Sequence, residues 1–172
     1  MYKPLTKNIV SVLVLNKANV LARVVGMFGQ RGFNIDSLTV SATNDPTISR
    51  ITIVFDARAT SMQQIITQTE KLEVVKSVTV LTRENGLYRD MLLMKVQARP
   101  EDRQAIKNIV DIYRGRIVDL SRDSLIVELT GTPNKINGFI DVMADYNIQE
   151  VCRTGITAIE VAENIGEGDR DD

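Results

Sequence analysis

The sequence predicts an α+β protein made of two consecutive βαββαβ units. Three observations support this prediction. Apolar residues recur with strand and helix periodicity in the same order twice along the chain, and a polar stretch, residues 83–86, separates the two halves. The length of 172 residues suits two small domains. We therefore expect two tandem ferredoxin-like sandwiches, each an antiparallel sheet with two helices on one face.

The first half shows all six elements of such a unit. Strands are expected at residues 9–15, 38–42, 51–55 and 74–81. Leu21, Val24, Val25 and Phe28 form the apolar face of the first helix, and Gly32 is expected to end it in a left-handed conformation. Ser61 is a candidate cap for the second helix.

The second half repeats this order. Strands are expected at residues 91–96, 117–120, 125–129 and 156–161. Gly115 is expected to end the first helix of this half. Thr132 is expected to cap the second, with Pro133 at its first position.

These patterns predict a domain at residues 8–82, a second at 87–162 and a tail at 163–172. The tail is acidic and glycine-rich and lacks apolar periodicity, so we expect it to be disordered. The sheet face opposite the helices must be polar or covered. Because the central strands are strongly apolar, we expect a partner chain to cover it and a homodimer to form.

The composition excludes several classes of protein. The net charge is −1 and dense Lys/Arg runs are absent, which disfavours a general nucleic-acid binder. No apolar stretch has the length of a membrane span. The one cysteine, Cys152, precludes an intramolecular disulfide and suits a reducing cytoplasm; its neighbours favour a buried, inert thiol.

The sequence also lacks a catalytic constellation. It contains no histidine, which removes Ser-His and Cys-His nucleophile pairs and the commonest transition-metal ligand. Candidate carboxylates are scattered over separate predicted elements: Asp36, Asp56, Asp90 and Asp119. Glycines 26, 29 and 32 lie inside or after a helix, not in a phosphate-binding loop. We expect neither catalysis nor a bound metal.

The segment with the most binding potential lies between the first strand and the first helix. Asn16 and Asn19 flank a short polar loop, and Val20 and Leu21 begin the helix. Backbone N–H groups and the positive end of the helix dipole suit a small carboxylate there. On local evidence alone, ordinary turn chemistry is the favoured explanation of the same asparagines. Asn34 opens the second strand, and the topology separates it from this loop except across a dimer edge.

Five segments resemble one family. Residues 12–24 are similar to the opening of an ACT domain. Residues 28–40 and 45–50, and in the second half residues 112–119 and 153–156, resemble acetolactate synthase small subunits. The resemblance spans roughly residues 8–161, in order and with the spacing of that family.

The resemblance implies a regulatory protein without chemistry of its own. ACT domains in this family pair across a sheet edge and bind a branched-chain amino acid, usually valine, as feedback inhibitor of valine and isoleucine biosynthesis. The partner is a catalytic subunit that holds thiamine diphosphate, magnesium and FAD and is activated by the small subunit. Carried over, the effector site comprises Asn16, Asn19, Val20 and Leu21, with Asn34 and Ile35 from the second copy.

One position departs from the ACT pattern. Asn19 stands where these domains usually carry glycine, which permits positive φ and close approach of the ligand. Asparagine is the next most tolerant residue for that conformation, but it adds a side chain to the site. Effector identity and affinity are therefore open.

Three alternatives remain. A stand-alone ACT-type sensor of another enzyme or regulator would keep residues 16–21, which we call the effector loop. Residues 113–117, however, argue for the synthase family. An RNA-binding ferredoxin-like domain would need stacking aromatics, and only 5% of residues are aromatic. A small enzyme is disfavoured by the missing histidine and acid/base pairs.

Overall fold

The computed structural model describes residues 7–162, which form two compact units. Residues 7–87 and 156–162 form the first unit, and Tyr88–Gly155 forms the second. The tail expected at residues 163–172 lies outside the described residues. No helix in the described part of the chain is both long and apolar enough to cross a membrane.

The first unit has the expected βαββαβ order. Its elements are β1 (Asn8–Leu15), α1 (Val20–Gln30), β2 (Ile35–Ala42), β3 (Ile48–Phe55), α2 (Ala59–Glu70) and β4 (Val75–Leu81). The strands form an antiparallel sheet in the order β2-β3-β1-β4, so β2 lies at an edge. Both helices pack on one face, where Phe28 meets Phe55 edge-on with ring centroids 5.1 Å apart.

The second unit repeats the topology. Its elements are β5 (Gly86–Gln97), α3 (Arg103–Ile112), β6 (Arg116–Leu120), β7 (Ser124–Gly131), α4 (Pro133–Met143) and β8 (Ile148–Arg153). The sheet order β6-β7-β5-β8 matches that of the first unit, element by element. The α+β class and the two ferredoxin-like repeats predicted from the sequence are therefore confirmed.

The helix ends follow the expected chemistry in part. Gly32 has φ +73°, and Thr132 caps α4 by accepting a hydrogen bond from the Lys135 N–H at 3.3 Å, with Pro133 at the first helical position. At the end of α3, Arg114 and not Gly115 adopts the left-handed conformation, with φ +54°. A Cβ on Gly115 would lie 3.2 Å from the Glu128 carbonyl oxygen, so glycine serves close packing there. Ser61 lies inside α2, which begins at Ala59, and does not cap it.

The closing strand of the second unit differs from the expectation. β8, Ile148–Arg153, fills the position that residues 156–161 were expected to occupy. It is an exposed edge strand with weak apolar alternation, which hid it in the sequence. Cys152 lies on it and is exposed, so the expectation of a buried thiol was wrong.

Residues 156–162 return to the first unit and add a short strand, β9 (Thr157–Glu160). β9 pairs with β5, whose first two residues also belong to the first unit, and the Val161 N–H donates to the Asn85 carbonyl at 2.9 Å. Ile156 and Ala158 are 4% and 2% exposed. The chain's own C-terminal segment therefore packs on the first unit, where the sequence suggested only a partner chain.

Candidate effector site

The loop between β1 and α1 has the backbone that an effector site requires. Asn19 immediately precedes α1 and adopts φ +64°, the left-handed conformation that glycine usually supplies. Its side chain makes no cap hydrogen bond to the helix. The Asn19 amide is therefore exposed and available at the helix start, while its carbonyl accepts from the Arg23 N–H at 3.1 Å.

The electrostatics of this loop favour an anion. The first N–H groups of a helix lack partners inside the helix, and the dipole adds partial positive charge at the same place. The first turn of α1 contains no acidic residue, and Lys17 lies exposed in the loop just before it. The Val20 N–H already donates to the Lys17 carbonyl at 3.4 Å. A small carboxylate would therefore bind the N–H groups that follow Val20 in the first turn, without an opposing charge.

Asn16 has a structural duty in addition to its proposed binding role. Its Nδ2 donates to the Pro46 carbonyl at 2.9 Å, and its backbone N–H donates to the Thr47 carbonyl at 2.7 Å. These bonds hold the turn between β2 and β3 beside the effector loop. The side-chain oxygen of Asn16 is left to accept a hydrogen bond from a ligand.

That turn is itself braced by Asp45. One carboxylate oxygen accepts from the Thr47 N–H at 2.8 Å and from its hydroxyl at 2.7 Å. The hydroxyl bond, followed by the backbone bond, lowers the pKa of Asp45 below its ordinary value. The Thr47 hydrogen bonds of this turn therefore favour the ionised form of Asp45.

The apolar candidates occupy three different environments. Val20 is only 3% exposed and belongs to the core beneath α1. Leu21 is 39% exposed at the helix start. Ile35 is half-buried and packs against the core from β2. Val20 therefore shapes the site by packing, whereas Leu21 offers apolar surface next to the loop.

Asn34 and Ile35 lie far from the loop within one chain. Ile35 pairs with Phe55, and Phe55 pairs with Asn8 at the start of β1. Leu15, which precedes the loop, pairs with Ile48 at the other end of β3. The two groups are thus separated by a strand length of about 24 Å. The side chain of Asn34 is exposed and makes no hydrogen bond within residues 7–162.

The equivalent loop of the second unit is closed by its own side chains. Ala98 occupies the place of Asn16: it is fully buried, and its N–H donates to the Asp123 carbonyl at 2.9 Å. The Arg103 guanidinium donates to the carbonyls of Ala98 and Ser121, both at 3.3 Å, and to that of Arg122. We call these hydrogen bonds the Arg103 plug. No sequence pattern signals them, because an arginine at a helix start is common.

The helix start of the second unit also differs in charge and backbone. Glu101 and Asp102 precede α3, and Asp102 has φ −88°, in the ordinary right-handed region. Two carboxylates at this position would repel a carboxylate ligand. Of these two loops, as described in residues 7–162, the one in the first unit is therefore the better suited to an anion.

Neither unit offers an evident metal site. In the described part of the chain, no three His, Cys, Asp or Glu side chains group closely enough to hold a metal ion. The buried carboxylate of Asp90 is paired with Arg153, whose Nε lies 2.9 Å from it.

Comparison with known proteins assigns the family. A family model described as an AHAS small subunit-like ACT domain matches residues 10–77, and one described as the small subunit of acetolactate synthase matches residues 89–162. A probable acetolactate synthase small subunit from Archaeoglobus fulgidus is 46% identical over 153 residues, which cover 89% of this chain and 96% of that protein. The chain belongs to the acetolactate synthase small-subunit family.

Other family members agree over the same length. The acetolactate synthase small subunit of Haemophilus influenzae is 40% identical and covers 91% of this chain and 97% of its own. The crystal structure of the small subunit from Thermotoga maritima superposes with a TM-score of 0.83 at 39% identity, over 91% of this chain and 98% of that one. The family resemblance stated from the sequence is therefore confirmed in both units.

Proposed function

We propose that this small subunit activates the catalytic subunit of acetolactate synthase and makes it subject to feedback inhibition by valine or a related branched-chain amino acid. The observation that carries the proposal is the left-handed Asn19 at the open, carboxylate-free start of α1. Membership of the family supports the partner, and the loop supports an effector with a carboxylate.

The other half of the effector site comes from a second copy. β2 is an edge strand, and antiparallel pairing with its copy would reverse the direction of the partner strand. The start of the partner's β2 would then lie beside the end of β2, near the turn that Asn16 holds. Asn34 of the partner subunit would thereby approach the loop from which it is separated within one chain.

In this arrangement each part of an amino acid meets a suitable group. The carboxylate binds the N–H groups at the start of α1, where the dipole is positive. The ammonium donates to the amide oxygens of Asn16 and of the partner's Asn34. An aliphatic side chain rests against Leu21 and the partner's Ile35, which favours a branched apolar ligand over a charged one.

The chemistry belongs to the other subunit in this proposal. The relatives are small subunits by name, and thiamine diphosphate, magnesium and FAD would be held by the catalytic chain. The absence of histidine from the whole sequence agrees with a role outside proton transfer. An exposed free thiol at Cys152 is compatible with a reducing cytoplasm.

The test is an acetolactate assay of the cognate catalytic subunit with and without this chain, over a valine titration. The chain alone should form no acetolactate from pyruvate, and the mixture should turn over several-fold faster than the catalytic subunit alone. Valine should then lower that rate. A catalytic subunit that behaves identically with and without the chain would contradict the proposal and favour a stand-alone ACT-type sensor.

A further inference from the structure

The backbone of Ile156 is hydrogen-bonded to two hydroxyls of β2, the strand that follows Asn34. The Ile156 N–H donates to Ser37 Oγ at 3.0 Å, and its carbonyl accepts from Thr39 Oγ1 at 3.0 Å. Ser37 and Thr39 are two residues apart and therefore share one face of β2. Ile156 is only 4% exposed, so its polar groups cannot exchange these partners freely for water. We call this arrangement the Ile156 latch.

The residues just before the latch are fixed to the second unit. Arg153 Nε donates to Asp90 at 2.9 Å, and Asp90 is only 2% exposed. The hydroxyl of Thr154 accepts from the Met91 N–H at 3.0 Å, and the Thr154 N–H donates to the Met91 carbonyl at 3.0 Å. Arg153 is therefore held by its ion pair with Asp90, and Thr154 by its hydrogen bonds to Met91 of β5.

Gly155 is the single residue between these two anchorages. Its φ of +84° lies in the region that residues with a side chain rarely adopt. Both flanking residues are hydrogen-bonded, Thr154 within the second unit and Ile156 within the first. A shift of β2 that moves Ile156 would therefore act on Thr154 through a single intervening residue.

A shift of β2 could begin at an irregularity in its pairing with β3. The pairing of β2 with β3 changes register between Ile35 and Ser37. A bulge of this kind interrupts the ladder and lets the strand bend locally. It lies between the residues assigned to the ligand, Asn34 and Ile35, and the first hydroxyl of the latch.

We propose that the Ile156 latch is the element that carries effector occupancy on β2 to the second unit. The proposal rests on the proposed function, since it concerns the consequence of binding at that site. Ser37 and Thr39 are positioning residues in it, because they hold Ile156 and are not among the residues assigned to the effector. A coupling between two sites typically changes affinity about 5–150-fold, and loss of the latch should remove most of that factor.

The test uses the full chain with its catalytic subunit. The double variant Ser37→Ala, Thr39→Val removes both hydroxyls while nearly preserving volume. Ser41→Ala is the matched control, because Ser41 lies further along β2 and its hydroxyl makes no hydrogen bond among the described residues. Valine binding is measured by calorimetry, inhibition by acetolactate formation, and latch opening by hydrogen exchange of the Ile156 amide.

The expected result separates binding from response. Valine affinity of the double variant should stay within about threefold of wild type, while the valine concentration for half-inhibition should rise at least about tenfold. The Ile156 amide should exchange at least about tenfold faster in the variant, and Ser41→Ala should match wild type in all three measurements. Thr39→Ser, which keeps the donor, should retain most of the response.

Several outcomes would overturn the inference. Equal inhibition of the double variant and wild type, with faster Ile156 exchange, would show that the latch carries no signal. Parallel loss of affinity and inhibition would assign the hydroxyls to site structure alone. If the double variant does not fold, Ser37→Ala by itself is judged by the same criteria. Wild type that binds no valine, or that does not alter the catalytic subunit, would overturn the proposed function and the latch together.

Discussion

The two units have the same topology, but the loops after their first strands differ in exposure and in hydrogen bonding. In the first unit, Asn16 and Asn19 stand exposed at the start of α1, and Asn19 takes the left-handed conformation. In the second, Ala98 is buried and Arg103 fills the corresponding place with hydrogen bonds to three carbonyls. The comparison shows that one topology can carry two chemically different loops.

The two loops also differ in the side chain that donates hydrogen bonds to the carbonyls of the neighbouring turn. The Asn16 side chain donates a single hydrogen bond to the turn between β2 and β3, and its amide oxygen is left to accept another. The turn between β6 and β7 instead receives hydrogen bonds from the Arg103 guanidinium, at the carbonyls of Ser121 and Arg122. We therefore expect the second unit to depend on Arg103 for stability and the first to gain stability from the effector.

The largest expected effect comes from removing the plug of the second unit. Arg103→Ala leaves three carbonyls without a charged donor and should lower the free energy of unfolding by about 2–3 kcal/mol, since hydrogen bonds to charged groups are the stronger kind. Urea unfolding would measure it. Arg122→Ala is the control, because the exposed Arg122 contributes only a backbone carbonyl to this contact. Equal losses in both variants would refute the plug.

The effector half of the comparison is tested at Asn34. Asn34→Ala should weaken valine binding about tenfold or more, since a hydrogen bond to a charged ammonium contributes about 1.5–3 kcal/mol. Calorimetric titration measures the affinity, and Asn108→Ala, an exposed asparagine of α3, should leave it unchanged. Activation of the catalytic subunit should survive. Equal affinities would remove Asn34 from the site.

The conformation of Asn19 gives a smaller, graded effect. Asn19→Gly should leave the free energy of unfolding nearly unchanged, because glycine adopts φ +64° readily. Asn19→Val should cost about 1–2 kcal/mol, because a β-branched residue is disfavoured there. The difference between the two variants in urea unfolding isolates the backbone. Two variants of equal stability would mean that the loop relaxes out of the left-handed region.

The smallest effect concerns the turn beside the loop. The pKa of Asp45 is lowered chiefly by the Thr47 hydroxyl, so its contribution to stability is present above the unfolded-state pKa and is lost as pH falls through the folded one. In Thr47→Val the Asp45 pKa should rise toward its ordinary value, as followed by NMR titration. Thr67→Val, on α2, should leave that titration unchanged. A titration of Asp45 that Thr47→Val does not move would contradict this role.

The periodicity of apolar residues predicted most of the fold but did not assign every buried residue correctly. Both repeats were predictable because buried strands and amphipathic helices have distinct apolar spacings. The face of α1 was assigned correctly at Val24 and Phe28 but not at its start, where Leu21 is 39% exposed and Val20 is in the core. Adjacent apolar residues at a helix start fit either face, so spacing could not choose between them.

The long-range features were beyond the sequence. The return of Ile156 to β2 depends on two hydroxyls more than a hundred positions earlier, and neither residue type signals such a bond. The plug by Arg103 likewise depends on carbonyls of a later turn. The asparagines of the effector loop were found because their types at a helix start suggest caps and anion sites. Which role they serve depends on a second copy.

The most direct test of a site shared between two copies is complementation by mixing. Asn16→Ala damages the loop half of the site, and Asn34→Ala damages the strand half. Equimolar mixing with free exchange of subunits should restore about a quarter of the wild-type valine sites, because half of the dimers are mixed and each holds one intact site of two. Calorimetry of the mixture would count the restored high-affinity sites. A mixture that binds valine no better than the two variants measured separately would contradict the shared site.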